Sequence, residues 1–534
     1  MPPLESHNFT LLLVLVLPSS TFRCHFILII QVSTQHPPRF VFMASSQDGE
    51  QTPLLQATHH VDNAREPAVD NTPISRLAII VKCLLLLAFT GIGKTLIIIP
   101  INHIQQDILC HKPNTNDTNV FDNSTCEDGK LSLLRSWTAA FDIIMSFLTA
   151  VPYGMATDIY GRKRILQLST AGIILAQAFD AVICSFPETF PIHLMGLKGL
   201  WALVGGGSTV LSAMMFTIAS DISLDTQRST TFFYLTAAVI LSQLVSWPVL
   251  LSLEYAGSWI SIYAGFGCLA ASFLITLSMP ETRVPDFRSG GLMMTSETRI
   301  PSSYNFRLTQ FLTSMAGLTR RVFAENKKLG MLIVFCVFTT TGSNLPLLVT
   351  QQSSQRRFDS ADIPILVSIT FSSFLKVILL TMILPLTSRF LIEKLRFSPL
   401  RKDMSISRAS IVALVAGSLG IAIAKQAQPT IVIAAIYIYA LGCGYNPAMY
   451  SLLGLLSGGR HIGILYATIG AMQSIGTFTA GLMFGVSVEL VPLIFTFMFL
   501  AVVVGTLFCL KLEQTEDGEP IWVELDDLES HSNR

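Results

Sequence analysis

The sequence predicts an all-α integral membrane protein, with twelve transmembrane helices in two six-helix halves. Three observations carry that expectation: the composition, the length of the apolar stretches, and the charge difference between alternate loops. Of 534 residues, 51% are hydrophobic and only 13% are charged, where a soluble chain carries about 25% charged residues. The mean hydropathy is +0.56. That deficit of charge makes lipid the solvent. Lys+Arg and Asp+Glu balance at 35 each, so no basic excess points to nucleic acid.

Residues 1–75 are expected to be cytosolic and mostly disordered. Leu11 to Leu17, ended by Pro18, and Phe26 to Ile30 are apolar runs too short to cross a bilayer. The first resembles the apolar core of a signal peptide, but Glu5 precedes it and no Lys or Arg does. A cleaved signal would place the following segment outside, against the loop charges. Residues 1–42 are therefore expected to be absent from the functional product, with Met43 opening an ordinary polar tail. Glu50 through Leu55 fits either an acidic dileucine sorting pattern or a plain tail.

A spanning helix needs about 20 mostly apolar residues. Such stretches fall at 77–100, 136–156, 165–185, 192–219, 230–253 and 257–279, forming a first half at 76–279. Pro280 then opens a basic linker, 280–328. Further stretches at 329–350, 361–388, 409–424, 429–456, 462–487 and 489–511 form a second half at 329–511, before a cytosolic tail at 512–534. Six spans, a linker and six spans is the pattern of two parallel repeats.

Charge gives the sidedness. With the amino terminus in the cytosol, the inner loops carry 19 Lys and Arg and the outer loops six, as the positive-inside rule requires. The first outer loop, about 101–135, holds two glycosylation acceptors, Asn116-Asp117-Thr118 and Asn123-Ser124-Thr125. It also holds Cys110 and Cys126, which form either a bridge in that oxidising compartment or two free thiols. None of the nine cysteines stands in a Cys-x-x-Cys pair, and no His/Cys group has metal-ligand spacing.

Two junctions carry motifs. The turn after span 2 reads Gly154-Met-Ala-Thr-Asp158-Ile-Tyr-Gly161-Arg162-Lys163-Arg164. Gly161 permits a tight turn, and the cations hold the turn in the cytosol against anionic headgroups. Span 4 ends in Ala219-Ser220-Asp221-Ile222-Ser223, followed by Asp225, Arg228 and Phe232. Asp221 and Arg228 sit at the membrane boundary, where a carboxylate and a guanidinium can pair. In the second half, Ser388 through Arg408 reads as a charged loop between spans 8 and 9 without the glycine pattern.

These motifs resemble the major facilitator superfamily. The first is similar to its loop 2–3 signature, except that Ile159 stands where Arg is usual. The second resembles the span 4–5 junction of its tetracycline-exporter-like and proton-coupled folate transporter-like branches, and the chain looks fungal in type. The resemblance implies a charge network that closes the cytosolic ends of spans 2, 5 and 11. Gly154, Asp158, Gly161, Arg162, Lys163, Asp221 and Arg228 are its candidates. The antiporter signature of span 5 is reduced to Pro248 within Ser242 to Val249. Spans 1, 4, 7 and 10 are implied to line a central cavity.

Ionisable groups inside spans are functional candidates by default. Lys94 and Asp142 have similar depths and form either a neutralising pair able to hold a proton or an anionic group, or two side chains facing elsewhere. Asn344, Tyr445 and Asn446 are further candidates, the last two within the Gly442–Pro447 bend; a packed kink is the alternative there. Lys376, Trp201 and Gln473 are also available, while the glycines of span 11 read as close packing.

The expected function is secondary active transport of a small organic solute by alternating access, coupled to protons. A non-transporting sensor on the same scaffold is the alternative. No Walker sequence is present, no cofactor or metal is expected, and no enzyme site is visible. The partners are a small-molecule substrate, protons and the lipid bilayer, with no nucleic acid. The chain is expected to be a monomer of the plasma or vacuolar membrane.

Overall fold

The computed structural model describes residues 10–14, 27–31, 73–110, 128–255, 257–282, 327–343, 362–423, 429–457, 462–482, 494 and 498–502. The dileucine pattern, Asn116, Asn123, Cys126, Asn344 and the linker beyond Thr282 lie outside them. Two compact units divide the chain, Met1–Arg65 and Glu66–Arg534. In the first, strands β1 (Thr10–Val14) and β2 (Ile27–Gln31) pair antiparallel, with Leu12 opposite Ile29. The two short apolar runs near the amino terminus thus meet as a ladder.

The described residues of the second unit are helical apart from turns. Its first half comprises α1 (Pro73–Cys110), α2 (Asp128–Tyr160), α3 (Arg162–Ser185), α4 (Gly207–Ile222), α5 (Arg228–Glu254) and α6 (Ser258–Leu277). A 3₁₀ helix, Ile192–Val204, precedes α4 and completes span 4. The join between them needs glycine: Gly206 and Gly207 have φ of 74° and 63°, where a Cβ is disfavoured.

The second half comprises α7 (Lys327–Ser343), α8 (Asp362–Ile378), α9 (Leu384–Glu393), α10 (Pro399–Ile423), α11 (Pro429–Leu441), α12 (Tyr445–Leu456) and α13 (Ile462–Leu482). A π-turn at Leu379–Ile383 joins α8 to α9 as span 8, and the 3₁₀ turn Gly442–Gly444 joins α11 to α12 as span 10. Among the described residues, nine helices are long and apolar enough to cross a membrane. They coincide with the expected spans 1 to 6 and 8 to 10.

Span 9 departs from its predicted bounds. Hydropathy starts it at 409, but α10 starts at Pro399 and takes in Lys402 and Asp403. The stretch read as a loop is the first turns of a helix, and Pro399 at the first helical position starts it. The solvent is also visible in the packing. Leu148, Leu251, Leu274 and Leu386 are each more than half exposed, which only a lipid environment makes inexpensive. The interior holds Leu86, Ile97, Met214, Phe232, Leu452 and Leu453, all fully buried in one cluster shared by both halves.

Candidate functional site

The turn between α2 and α3 defines one end of the bundle, called here the basic end. Its centre is Arg162, whose side chain is fully buried. Arg162 Nη1 donates to Asp158 Oδ1 at 2.6 Å and to Thr157 Oγ1 at 3.1 Å, and Nε donates to Asp221 Oδ2 at 3.0 Å. One guanidinium therefore ties the ends of α2 and α4 to the start of α3. Such charge-assisted bonds are the strong ones.

Two glycines let the backbone approach this centre. Gly161 has φ of 95°, and a Cβ there would lie 2.6 Å from Glu281 Oε2. Glu281 accepts the N–H of Arg162 at 2.7 Å and that of Lys163 at 3.2 Å, so it caps α3 at the positive end of its dipole. Gly463 is the second residue of α13, and a Cβ there would lie 2.9 Å from both Arg162 Nη1 and Asp158 Oδ1. On α2, a Cβ at Gly154 would lie 3.0 Å from the Gly463 carbonyl oxygen. The second half thus closes directly over the ion pair of the first.

Asp221 and Arg228 serve different contacts. Asp221 takes Arg162, while Arg228 Nη2 pairs with Asp225 Oδ1 at 2.8 Å, one turn away at the head of α5. The network that the resemblance places on spans 2, 5 and 11 draws its carboxylates here from spans 2 and 4, with span 11 as the cover. Lys163 is half-buried and faces a groove beside α1 and the end of α6.

A second buried cation lies at the same end, and sequence reasoning missed it. Lys402 and Asp403 are both fully buried. Lys402 Nζ donates to Thr226 O at 3.0 Å and Ser229 Oγ at 2.8 Å, and stands 3.2 Å from Asp403 Oδ1. Ser451 Oγ donates to Asp403 Oδ2 at 2.6 Å. The ammonium thus reaches from α10 in the second half to α5 and its approach in the first. Pro399 was the available signal.

Between these cations and the midplane, aromatic rings cross the same seam. Phe216 of α4 meets Phe232 of α5 and Tyr450 of α12, each at 5.1 Å between ring centres. Tyr466 of α13 meets Phe232 at 5.8 Å. Further along, Thr209 Oγ1 and Ser474 Oγ lie 3.3 Å apart across α4 and α13.

Towards the other end of the first half, four ionisable side chains gather. Lys94 of α1 lies within electrostatic reach of Asp142 of α2 and Lys198 of the 3₁₀ helix. Lys198 pairs with Asp180 of α3, which also feels Asp142. A Cβ at Gly199 would lie 3.0 Å from the Asp142 backbone, so the 3₁₀ helix packs tightly there. Asp180 is 4% exposed, and its Oδ1 has no hydrogen-bond partner among the described residues. The sequence pointed to Lys94 and Asp142; Asp180 and Lys198 carry the same signal of a charge inside a span.

Tyr445 is shut into the core, 1% exposed, with its hydroxyl unpartnered among the described residues. Asn446 beside it is half-buried. Gln473 donates to the Tyr450 hydroxyl instead of standing alone on span 11.

Comparison with known proteins bears on the family and the fold. The Major Facilitator Superfamily profile matches residues 83–481. The MFS efflux pump atnC of Emericella nidulans is 26% identical over 453 residues, covering 81% of this chain and 85% of that protein. The efflux pump ustT of Aspergillus flavus is 25% identical, covering 64% of this chain and 67% of that protein. Among solved structures, an outward-facing bacterial homologue of the iron transporter ferroportin aligns with a TM-score of 0.57 at 12% identity, covering 81% of this chain and 98% of that one. The proton:xylose symporter XylE aligns at 0.55 and 14%, covering 82% and 96%. These structural likenesses show the fold. Because the profile runs over most of the chain, from inside α1 to the end of α13, this is an integral multi-pass membrane transporter of a solute, not an enzyme, and it belongs to the Major Facilitator Superfamily.

Proposed function

We propose that the chain is a proton-coupled secondary transporter of a small organic solute, working by alternating access with the basic end as its cytosolic gate. The observation that carries this reading is the seal across the two halves. Gly463 closes on the Arg162–Asp158 pair, and Lys402 reaches Thr226 and Ser229. Opening that end must separate all three contacts, so their strength biases the equilibrium between the two access states. In this reading Gly154, Asp158, Gly161, Arg162 and Asp221 form the lock, with Lys163 and Arg228 at its rim.

The charged group at Lys94, Asp142, Asp180 and Lys198 supports proton coupling. Two carboxylates and two ammonium groups in one place can exchange partners when one carboxylate takes a proton. Asn344 and Asn446 remain the proposed contacts of the solute in the second half, with Tyr445 joining them only in a state that opens the core around it. The relatives named as efflux pumps favour export.

The test is solute flux in sealed vesicles under an imposed pH gradient, over a panel of organic solutes. Flux that follows the gradient is expected, and flux indifferent to it for every transported solute removes the coupling. Asp158→Asn is expected to lower flux more than surface abundance. Unchanged flux at equal abundance removes the gate assignment.

A further inference from the structure

A groove of about 500 Å³ opens at the basic end, away from the seal between the halves. Its floor is apolar, made by Ala78 and Ile79 of α1 with Met279 and Pro280 after α6. Its rim carries two ammonium groups, Lys82 and Lys163. Lys82 Nζ donates to the Ser278 carbonyl at 2.7 Å, which fixes it beside the groove with donors to spare. Arg76 and Arg164 lie in the first turns of α1 and α3. No carboxylate is among the described residues lining the groove, and Glu281, the residue after Pro280, is bound to the backbone N–H groups of Arg162 and Lys163. The groove therefore has a net positive mouth.

An apolar lane lies on the adjoining face of α1. Leu77, Val81 and Leu85 recur every fourth residue on α1 and are 50%, 43% and 45% exposed, so they share one outward face. On α6, Leu274 and Leu277 are likewise exposed. The lane on α1 runs about 12 Å along the helix. Paired cations at a membrane boundary above an outward apolar lane match a phosphate carrying an acyl chain. A soluble anion would use the cations and leave the lane uncovered.

We propose that this groove binds an anionic phospholipid, with the headgroup phosphate between Lys82 and Lys163 and one acyl chain along Leu77, Val81 and Leu85. The bound lipid ties α1 and the end of α6 to the first turn of α3, next to Arg162. The site stands independently of the solute and of the coupling ion.

The experiment uses the full chain in nanodiscs of phosphatidylcholine with phosphatidylserine added, and reads retained lipids by native mass spectrometry. Phosphatidylserine is expected to be retained in preference to phosphatidylcholine. The double variant Lys82→Gln/Lys163→Gln is expected to lose that preference about tenfold, and Lys82→Arg/Lys163→Arg to keep it. The single variant Lys82→Gln, at a half-buried side chain, gives the same direction should the double variant fold poorly. Equal retention by wild type and the Gln variants overturns the proposal, as does a wild type without preference. Displacement of the lipid by inorganic phosphate alone also overturns it, since the site would then take a free anion.

Discussion

Of the buried cations at the basic end, the two that are fully enclosed, Arg162 and Lys402, are satisfied differently. Lys402 donates to Thr226 O and Ser229 Oγ and stands 3.2 Å from Asp403 Oδ1, which has no hydrogen bond among the described residues. Arg162 has five donors. Its Nε and Nη1 are used on Thr157, Asp158 and Asp221, while Nη2 is buried with no partner among the described residues. Lys402 and Asp403 are wholly enclosed, whereas Asp158 and Asp221 keep 12% and 13% of their side chains exposed. The ammonium reaches from one half of the molecule to the other. The guanidinium gathers carboxylates of its own half and is covered by the backbone of the other. An ion pair wholly enclosed in a dry site resists change. A centre with spare donors and some water access can trade partners when the halves part.

That contrast can be broken by mutation. The largest effect is expected for Lys402→Met, which leaves Asp403 enclosed without its counter-ion, at a cost of about 3–5 kcal/mol. Chemical denaturation in detergent measures it, and a concurrent Asp403→Asn should recover a large part. Arg162→Met should cost less, about 2–4 kcal/mol, because its carboxylates can reach water. If Arg162→Met proves the costlier, burial does not rank the two centres. Exchanging the cations sharpens the comparison, since Arg162→Lys keeps a charge where there is room, while Lys402→Arg must fit a larger fork into a filled site. Thermal midpoints should therefore fall further for Lys402→Arg.

Gly463→Ala is expected to cost about 1–3 kcal/mol by overpacking and to expose the α2–α13 seam to thiol reagents at an introduced Thr157→Cys. Protection of that cysteine at the wild-type level would show that α13 does not depend on the glycine to close. The smallest effect belongs to Asp225→Asn. Asp225 is 66% exposed, and such surface pairs contribute about 0–1 kcal/mol. A larger loss in the same denaturation assay would mean that Arg228 depends on it to hold α5.

The legibility of the two centres in the sequence follows their chemistry. Gly161, Asp158 and Arg162 lie within one turn, so local spacing was enough to find them. Asp221 announced itself at the end of an apolar span, but its partner is 59 residues away, and that pairing is tertiary information. Lys402 and Asp403 were hidden because their polar turn lowers the hydropathy, moving the apparent start of the span past them. Gly463 reads as a packing glycine and is one; what it packs against is not written locally. The same holds for Asp180 and Lys198, each visible as a charge in a span and neither naming the other. Most spans were legible because lipid rewards length and apolarity residue by residue.

The 3₁₀ helix that begins span 4 changes the arithmetic of crossing the bilayer. At about 2.0 Å per residue, its 13 residues climb about 26 Å, where an α-helix would climb about 20 Å. Its side chains also repeat every third position, so Met195, Lys198 and Trp201 stack in a single column. Span 4 therefore delivers Lys198 to Asp180 by pitch as much as by sequence, and inserting one residue before Gly205 would turn that column away from α3.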